Sequence, residues 1–106
     1  MLTVAEARIL LEIQSRDTMN EDLKALGLFG CDRLMWSEVK SLLEMRKFLG
    51  LKPGIHSREQ FLKTPKEQLN TLFYRYGLNI EEQFQALQAQ KQGTHRVSVQ
   101  LVLGRE

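Results

Sequence analysis

The chain has little of several residue types, and each shortage excludes a class of protein. Of its 106 residues, only one is cysteine and two are proline. The single cysteine, Cys31, cannot form an internal disulfide, which favours a reducing, intracellular setting and a cytoplasmic location. The apolar runs span only a few residues, so no segment is predicted to cross a membrane. The N-terminal sequence has no basic stretch followed by a long apolar one, so we expect no signal peptide.

Patterns that carry chemistry are also scarce. Structural zinc needs about four cysteine or histidine ligands, whereas the chain offers one cysteine and two histidines without paired spacing. The seven glycines are scattered singly, which excludes a glycine-rich phosphate loop. Nucleophilic catalysis by Cys31 is a third-ranked hypothesis, because no catalytic signature surrounds this residue. We therefore predict a protein that is not an enzyme, with no catalytic residue, metal ion or cofactor.

Signals that begin and end helices are plentiful. They predict five or six helices joined by short loops in one domain that covers residues 1–106. The predicted starts are Thr3 with Glu6, Thr18 with Glu21 (or Asn20), Asp32, Ser57 with Gln60, Thr64-Pro65 with Glu67, and Asn79 with Glu82. The matching ends are about Arg16, Gly27, Gly50, the segment before Thr64, Gly77, and about Gln92.

In the C-terminal segment the apolar residues recur with a period that differs from that of a helix. From about residue 94 to 103, apolar and polar residues alternate, with Val97, Val99, Leu101 and Leu103 on one side. Period two is typical of a half-buried β-strand. A lone strand leaves its backbone groups unpaired, so it needs a partner strand within the chain or across an interface. The predicted fold is therefore a compact, mostly α domain with one C-terminal β-strand.

The predicted 32–49 helix has more apolar surface than a simple surface helix needs. Its apolar arc covers about half of the circumference, against roughly 100° for a one-sided helix. This helix is therefore either central to the fold or in contact with a partner. Phe48 and Tyr74 project away from the apolar stripes of their helices. Each aromatic either covers residues of its own domain or contributes to a partner site.

The middle of the chain is basic. Residues 33–66 carry eight lysines and arginines against three glutamates, whereas the net charge of the whole chain is only +2. Arg33, Lys40 and Lys47 recur every seven residues opposite the apolar arc, and Lys52 and Arg58 follow. Such a row is either a solvated face or a phosphate-binding surface. A helix-turn-helix over residues 20–49 would be one way to present it, although the start of the second helix is more apolar than a groove-reading helix requires.

Two function hypotheses result. The first is a protein–protein interaction module, such as an adaptor, an inhibitor or a self-assembling unit, that uses apolar helix faces and the C-terminal strand. Its candidate interface residues are Phe48, Tyr74, Val97, Val99, Leu101 and Leu103. The alternative is a nucleic-acid-binding regulator that uses Arg33, Lys40, Lys47, Lys52 and Arg58. The expected partner is another protein or a second copy of this chain, with nucleic acid as the alternative and no membrane association.

Overall fold

The computed structural model describes the backbone of residues 1–51 and 56–103, and the side chains of residues 1–51 and 56–91. These residues form one mostly helical domain with a small antiparallel sheet. In chain order the elements are β1 (Leu2–Thr3), α1 (Val4–Leu10), α2 (Arg16–Ala25), β2 (Arg33–Leu34), α3 (Trp36–Leu49), α4 (Arg58–Lys63), α5 (Lys66–Arg75) and α6 (Ile80–Leu103). The six helices confirm the predicted helical class.

Three of the predicted helix starts are confirmed atom by atom. Thr3 caps α1 in a reciprocal box, in which its hydroxyl accepts from the Glu6 N–H and the Glu6 carboxylate accepts from the Thr3 N–H. Ser57 and Gln60 form the same box at α4. Asn79 Oδ1 accepts from the Glu82 N–H at the start of α6. These side chains satisfy backbone N–H groups that have no partner within their helices.

Two predicted boundaries at the N-terminal end are wrong. The first helix ends at Leu10 rather than near Arg16, and Glu12 then adopts a left-handed conformation with φ of 58°. The next helix is capped by Ser15, whose hydroxyl accepts from the N–H groups of residues 17 and 18. Thr18 and Asn20 therefore lie inside α2, one turn beyond the actual cap. Any of these small polar residues suits a cap chemically, so local sequence did not distinguish them.

The start of α3 is displaced by strand pairing. Asp32 was the predicted cap, but the helix begins at Trp36, and the Met35 N–H donates to Glu38 Oε1 at 2.7 Å. The preceding Arg33–Leu34 pairs with β1 in antiparallel register, Leu2 opposite Leu34. Both leucines are buried, whereas Arg33 faces solvent. At α5 the difference is one residue, since Pro65 is the cap and Lys66 the first helical residue.

The C-terminal strand prediction is wrong. Residues 94–103 continue α6 as helix, and the sheet is formed instead by β1 and β2 near the N-terminus. The alternation of apolar and polar residues suggested a strand, but the same residues also fit a helix. Val97 and Leu101 are four residues apart, as are Val99 and Leu103, and this spacing suits one side of a helix. A helix that is already nucleated at Asn79 extends at little cost, and Gly93 in its interior costs only about 1 kcal/mol.

Helix α3 is the centre of the core. Its buried residues contribute to two adjoining apolar clusters, and Trp36 and Leu87 pack against both. One cluster joins α3 to the sheet, α1 and α2, and the other joins it to α4, α5 and α6. The core residues of α3 are Val39, Leu42, Leu43, Met45 and Phe48. A central position therefore explains the wide apolar arc of this helix.

Candidate functional site

The structure disperses the predicted basic row. Arg33 is exposed on β2, Lys40 and Lys47 lie on α3, and Arg58 begins α4. Lys52 lies outside the described residues. Because Arg33 precedes the helix rather than belonging to it, the heptad spacing that linked it to Lys40 does not correspond to a single helical face.

Two of these cations are engaged by carboxylates of the same domain. Lys40 Nζ lies 2.7 Å from Glu81 Oε1 on α6. Arg58 Nε lies 2.7 Å from Oδ1 of Asp22, whose side chain is fully buried. These charges are partly neutralised before any phosphate approaches, which weakens the electrostatic attraction that a phosphate-binding surface requires.

The helix-turn-helix geometry predicted over residues 20–49 is absent from the described backbone. Helix α2 ends at Ala25 and α3 begins at Trp36, with β2 between them. A helix-turn-helix joins its two helices by a turn of about 3–4 residues. The connection here is longer and contains a strand paired to β1, so α3 is not presented as a recognition helix of that motif.

The two candidate interface aromatics have opposite environments. Phe48 is only 4% exposed and packs against the rings of His56 and Phe61, with centroids 4.9 and 5.7 Å away. It therefore belongs to the core, where it covers α4. Tyr74 is 85% exposed on α5. The side chains of Val97, Val99, Leu101 and Leu103 lie outside the described residues, and only their helical backbone is established.

Tyr74 stands on the rim of a groove between α3, α5 and the α5–α6 turn. One wall is a line along α5, in which Lys66, Asn70 and Tyr74 follow one another at intervals of four residues. Residues at this spacing lie above one another on a helix. We call the whole groove, including this wall, the Tyr74 groove. Its volume is about 640 Å³, within the usual range of roughly 300–1,000 Å³ for ligand pockets.

The opposite wall comes from α3, and the floor is apolar. Lys40 and Glu44 are one helical turn apart on α3 and both face the groove. Phe73, Leu78 and Ile80 supply its apolar surface. The chain turns sharply into α6 because Gly77 adopts a φ of 72°, a conformation that side chains other than glycine rarely take. The turn thereby brings the first residue of α6 against α3.

Charges of both signs line the groove. Glu44 is 6% exposed, and Lys66 Nζ lies 3.5 Å from its Oε2. The hydrogen bond from Lys40 lowers the pKa of Glu81 below its usual range, and the charge of Lys66 adds to this effect. Each carboxylate of the groove therefore faces a lysine, but the two pairs differ. The Lys40–Glu81 contact is short, whereas the Lys66–Glu44 contact is at the long end of the range for an ion pair.

The described part of the chain has neither a cluster of metal-ligating side chains nor a membrane-spanning helix. No group of three or more histidine, cysteine, aspartate or glutamate side chains is placed to hold a metal ion there. Cys31 is an exposed free thiol. No helix over the described ranges has the length and apolar character needed to cross a bilayer.

One wall of the groove has a signal in the sequence. The 66–70–74 spacing on a well-delimited helix places a cation, an amide and an aromatic ring on one line. What the sequence did not reveal is that this line faces Glu44, because that contact joins residues from different helices. Comparison of the chain with protein-family models, with curated proteins and with solved structures gives no match.

Proposed function

We propose that this chain is a protein-binding module and that the Tyr74 groove is its principal contact surface. The observation that carries the proposal is the position of Tyr74, which is 85% exposed at the edge of a groove with an apolar floor. An exposed tyrosine next to buried aromatic and aliphatic residues is typical of the centre of a protein interface. Its large ring loses little side-chain entropy on binding, so it is an efficient anchor.

The polar rim of the groove supports the same function. The Lys40–Glu81 and Lys66–Glu44 pairs and the amide of Asn70 surround the apolar floor. Such a rim excludes water from a central contact and adds directional hydrogen bonds, which is how interfaces combine affinity with specificity. Phe48 takes no part in this surface because it is buried, and strand addition by residues 94–103 is no longer part of the proposal because their backbone is helical.

The experiment is affinity capture from native cells with three tagged forms of the chain. These are the wild type, Tyr74→Ala, and Phe29→Ala, which removes an exposed aromatic that does not line the groove. We expect a protein that co-purifies with the wild type and with Phe29→Ala but is lost with Tyr74→Ala. Equal capture by all three forms would contradict the assignment of the groove. Recovery of a second copy of this chain would identify the partner as self.

Nucleic-acid binding is the second candidate, and one observation favours it. Tyr76 lies in a shallow depression with Lys47 and with Arg46, whose charge is partly neutralised by Asp22. Leu78 lines both this depression and the Tyr74 groove. Aromatic rings beside basic side chains are typical of surfaces that bind single-stranded nucleic acid by stacking. Nuclease treatment during the capture experiment separates the two candidates. A bound protein that remains after the treatment supports the first, and loss of all bound material supports the second.

A further inference from the structure

We propose that the Tyr74 groove binds an arginine side chain of the partner protein, with Glu44 as the carboxylate that receives its guanidinium. This inference rests on the proposed function and specifies its chemistry. The central observation concerns Glu44, a carboxylate that is more than nine-tenths buried and yet lines an open groove.

Glu44 is poorly satisfied by the chain itself. Among the described residues, its carboxylate accepts no hydrogen bond within normal geometry, and Lys66 Nζ at 3.5 Å is its ionic partner. The carboxylate oxygens of Glu44 open onto the groove, where an incoming guanidinium can give them two charge-assisted hydrogen bonds, which are stronger than one long ion pair. The free energy of the site therefore improves when a ligand supplies donors to Glu44.

Lys66 is readily displaced from Glu44. Its side chain is 65% exposed, and ion pairs made by exposed lysines are weak. Lys40, in contrast, is held at 2.7 Å by Glu81 and lies over the Phe84 ring at 5.6 Å from its centroid. Displacement of Lys66 alone therefore opens Glu44 to an incoming cation while the opposite side of the groove keeps its shape. Lys66 occupies the position that the ligand takes.

The other groove residues favour guanidinium over ammonium. A planar guanidinium donates two parallel hydrogen bonds to one carboxylate and stacks on an aromatic face, neither of which a lysine does as well. Tyr74 supplies an exposed ring at the rim. Leu78, which is half-buried, supplies an apolar surface for the aliphatic part of the arginine. The groove volume of about 640 Å³ leaves room for residues that flank the arginine in the partner.

The test is an NMR titration of the isotope-labelled full chain with N-acetyl-arginine amide. The matched ligand is N-acetyl-citrulline amide, which keeps the shape of the side chain and removes its charge. A single amino-acid ligand buries little surface, so we expect a dissociation constant on the order of millimolar for arginine amide. We expect no saturable shift with the citrulline amide. Saturable binding of the two ligands with equal affinity would overturn the proposal.

Variants of Glu44 and of Lys66 are expected to change the affinity for arginine amide in opposite directions. Lys66→Ala removes the competing cation, so arginine amide should bind at least threefold more tightly. Glu44→Gln should weaken binding at least tenfold, with a spectrum that otherwise matches the wild type. Lys63→Ala, which removes an exposed lysine on α4 outside the groove, should leave binding unchanged. Weaker or unchanged binding by Lys66→Ala would overturn the proposal, because an anion site predicts weaker binding and an unrelated site predicts no change.

This test is independent of the capture experiment. If arginine amide fails to bind while a protein is captured in a Tyr74-dependent way, the guanidinium proposal is overturned and the protein-binding proposal stands. If arginine amide binds with the expected variant pattern while no protein is captured, the chemistry of the groove is supported and the protein-binding proposal fails.

Discussion

The guanidinium of Arg46 on α3 forms an ion pair with the carboxylate of Asp22 on α2. Arg46 Nε lies 2.6 Å from Asp22 Oδ2, and its Nη2 donates to Oδ1 at 2.9 Å. Arg58 on α4 donates to the same Oδ1 from its Nε at 2.7 Å. Asp22 is fully buried, so these two arginines compensate a charge that would otherwise be costly to bury. The three residues join α2, α3 and α4 at one point.

Loss of Asp22 is the first test of this network. Asp22→Asn keeps the size of the side chain but removes the charge that both arginines contact. We expect the free energy of unfolding to fall by about 2–4 kcal/mol, below the full cost of breaking a buried pair because both arginines retain access to water. Urea unfolding measures the change. The exposed Glu21→Gln is the control and should stay within about 0.5 kcal/mol of the wild type, and an equally small effect of Asp22→Asn would contradict a structural role.

Phe48 and Tyr74 give a second, paired prediction. Phe48→Ala leaves a cavity in the core next to Phe61, so we expect a loss of about 3–5 kcal/mol in the free energy of unfolding. Tyr74→Ala removes a ring that is 85% exposed, so we expect a change within about 0.5 kcal/mol. Thermal and urea unfolding measure both. A large destabilisation by Tyr74→Ala would mean that the ring supports the fold rather than a partner.

The third prediction concerns acid stability. The hydrogen bond from Lys91 on α6 lowers the pKa of Glu6 from 4.5 to about 2, with help from the Thr3 backbone. Because the unfolded chain holds this proton more tightly, the stabilisation by Glu6 is complete above about pH 4.5 and is lost as the pH falls towards 2. Glu6→Gln should therefore flatten the loss of stability over this interval.

Urea-unfolding midpoints at a series of pH values from about 5 to about 2.5 measure this slope. Lys91→Gln should flatten it in a similar way, and the double variant should add little, because both single changes remove the same contact. An unchanged acid slope in Glu6→Gln would show that this contact between α1 and α6 does not contribute to stability in solution.

Replacement by alanine is expected to have opposite effects on stability at two glycines that lie at helix ends. Gly77 has a φ of 72°, so Gly77→Ala should destabilise the protein by about 1–2 kcal/mol. Gly50 has helical backbone angles, and a Cβ there would meet Arg46 O at 3.5 Å, an ordinary contact. Gly50→Ala should therefore stabilise the protein by about 0.4–1 kcal/mol through the unfolded state. Thermal unfolding compares the two, and destabilisation of similar size by both would contradict this account.

Local signals predicted the helical part of the fold because caps act over three or four residues. The boxes at Thr3 and Ser57 and the cap at Asn79 are set by side chains beside the backbone groups that they satisfy. The small sheet was missed because each strand has only two residues, too few for a period to be visible. The C-terminal segment was misassigned because its apolar spacing fits both a strand and a helix.

The site was less predictable than the fold because it depends on contacts between distant residues. Lys40 meets Glu81 across 41 positions and Asp22 meets Arg58 across 36. Periodicity shows which residues share a helical face, but it does not show which two helices face one another. The basic composition of the middle of the chain was therefore read correctly, but the tertiary structure separates its residues and places two of them, Lys40 and Arg58, in different ion pairs.

The most direct test of the central claim is photo-crosslinking from position 74 in native cells. A benzoyl-phenylalanine replaces Tyr74, with the same substitution at the exposed Phe29 as the matched control. We predict a discrete protein adduct from position 74 that resists nuclease and is absent from position 29. An absence of protein adducts at position 74, equal adducts at both positions, or an adduct removed by nuclease would contradict the claim that the Tyr74 groove binds a protein.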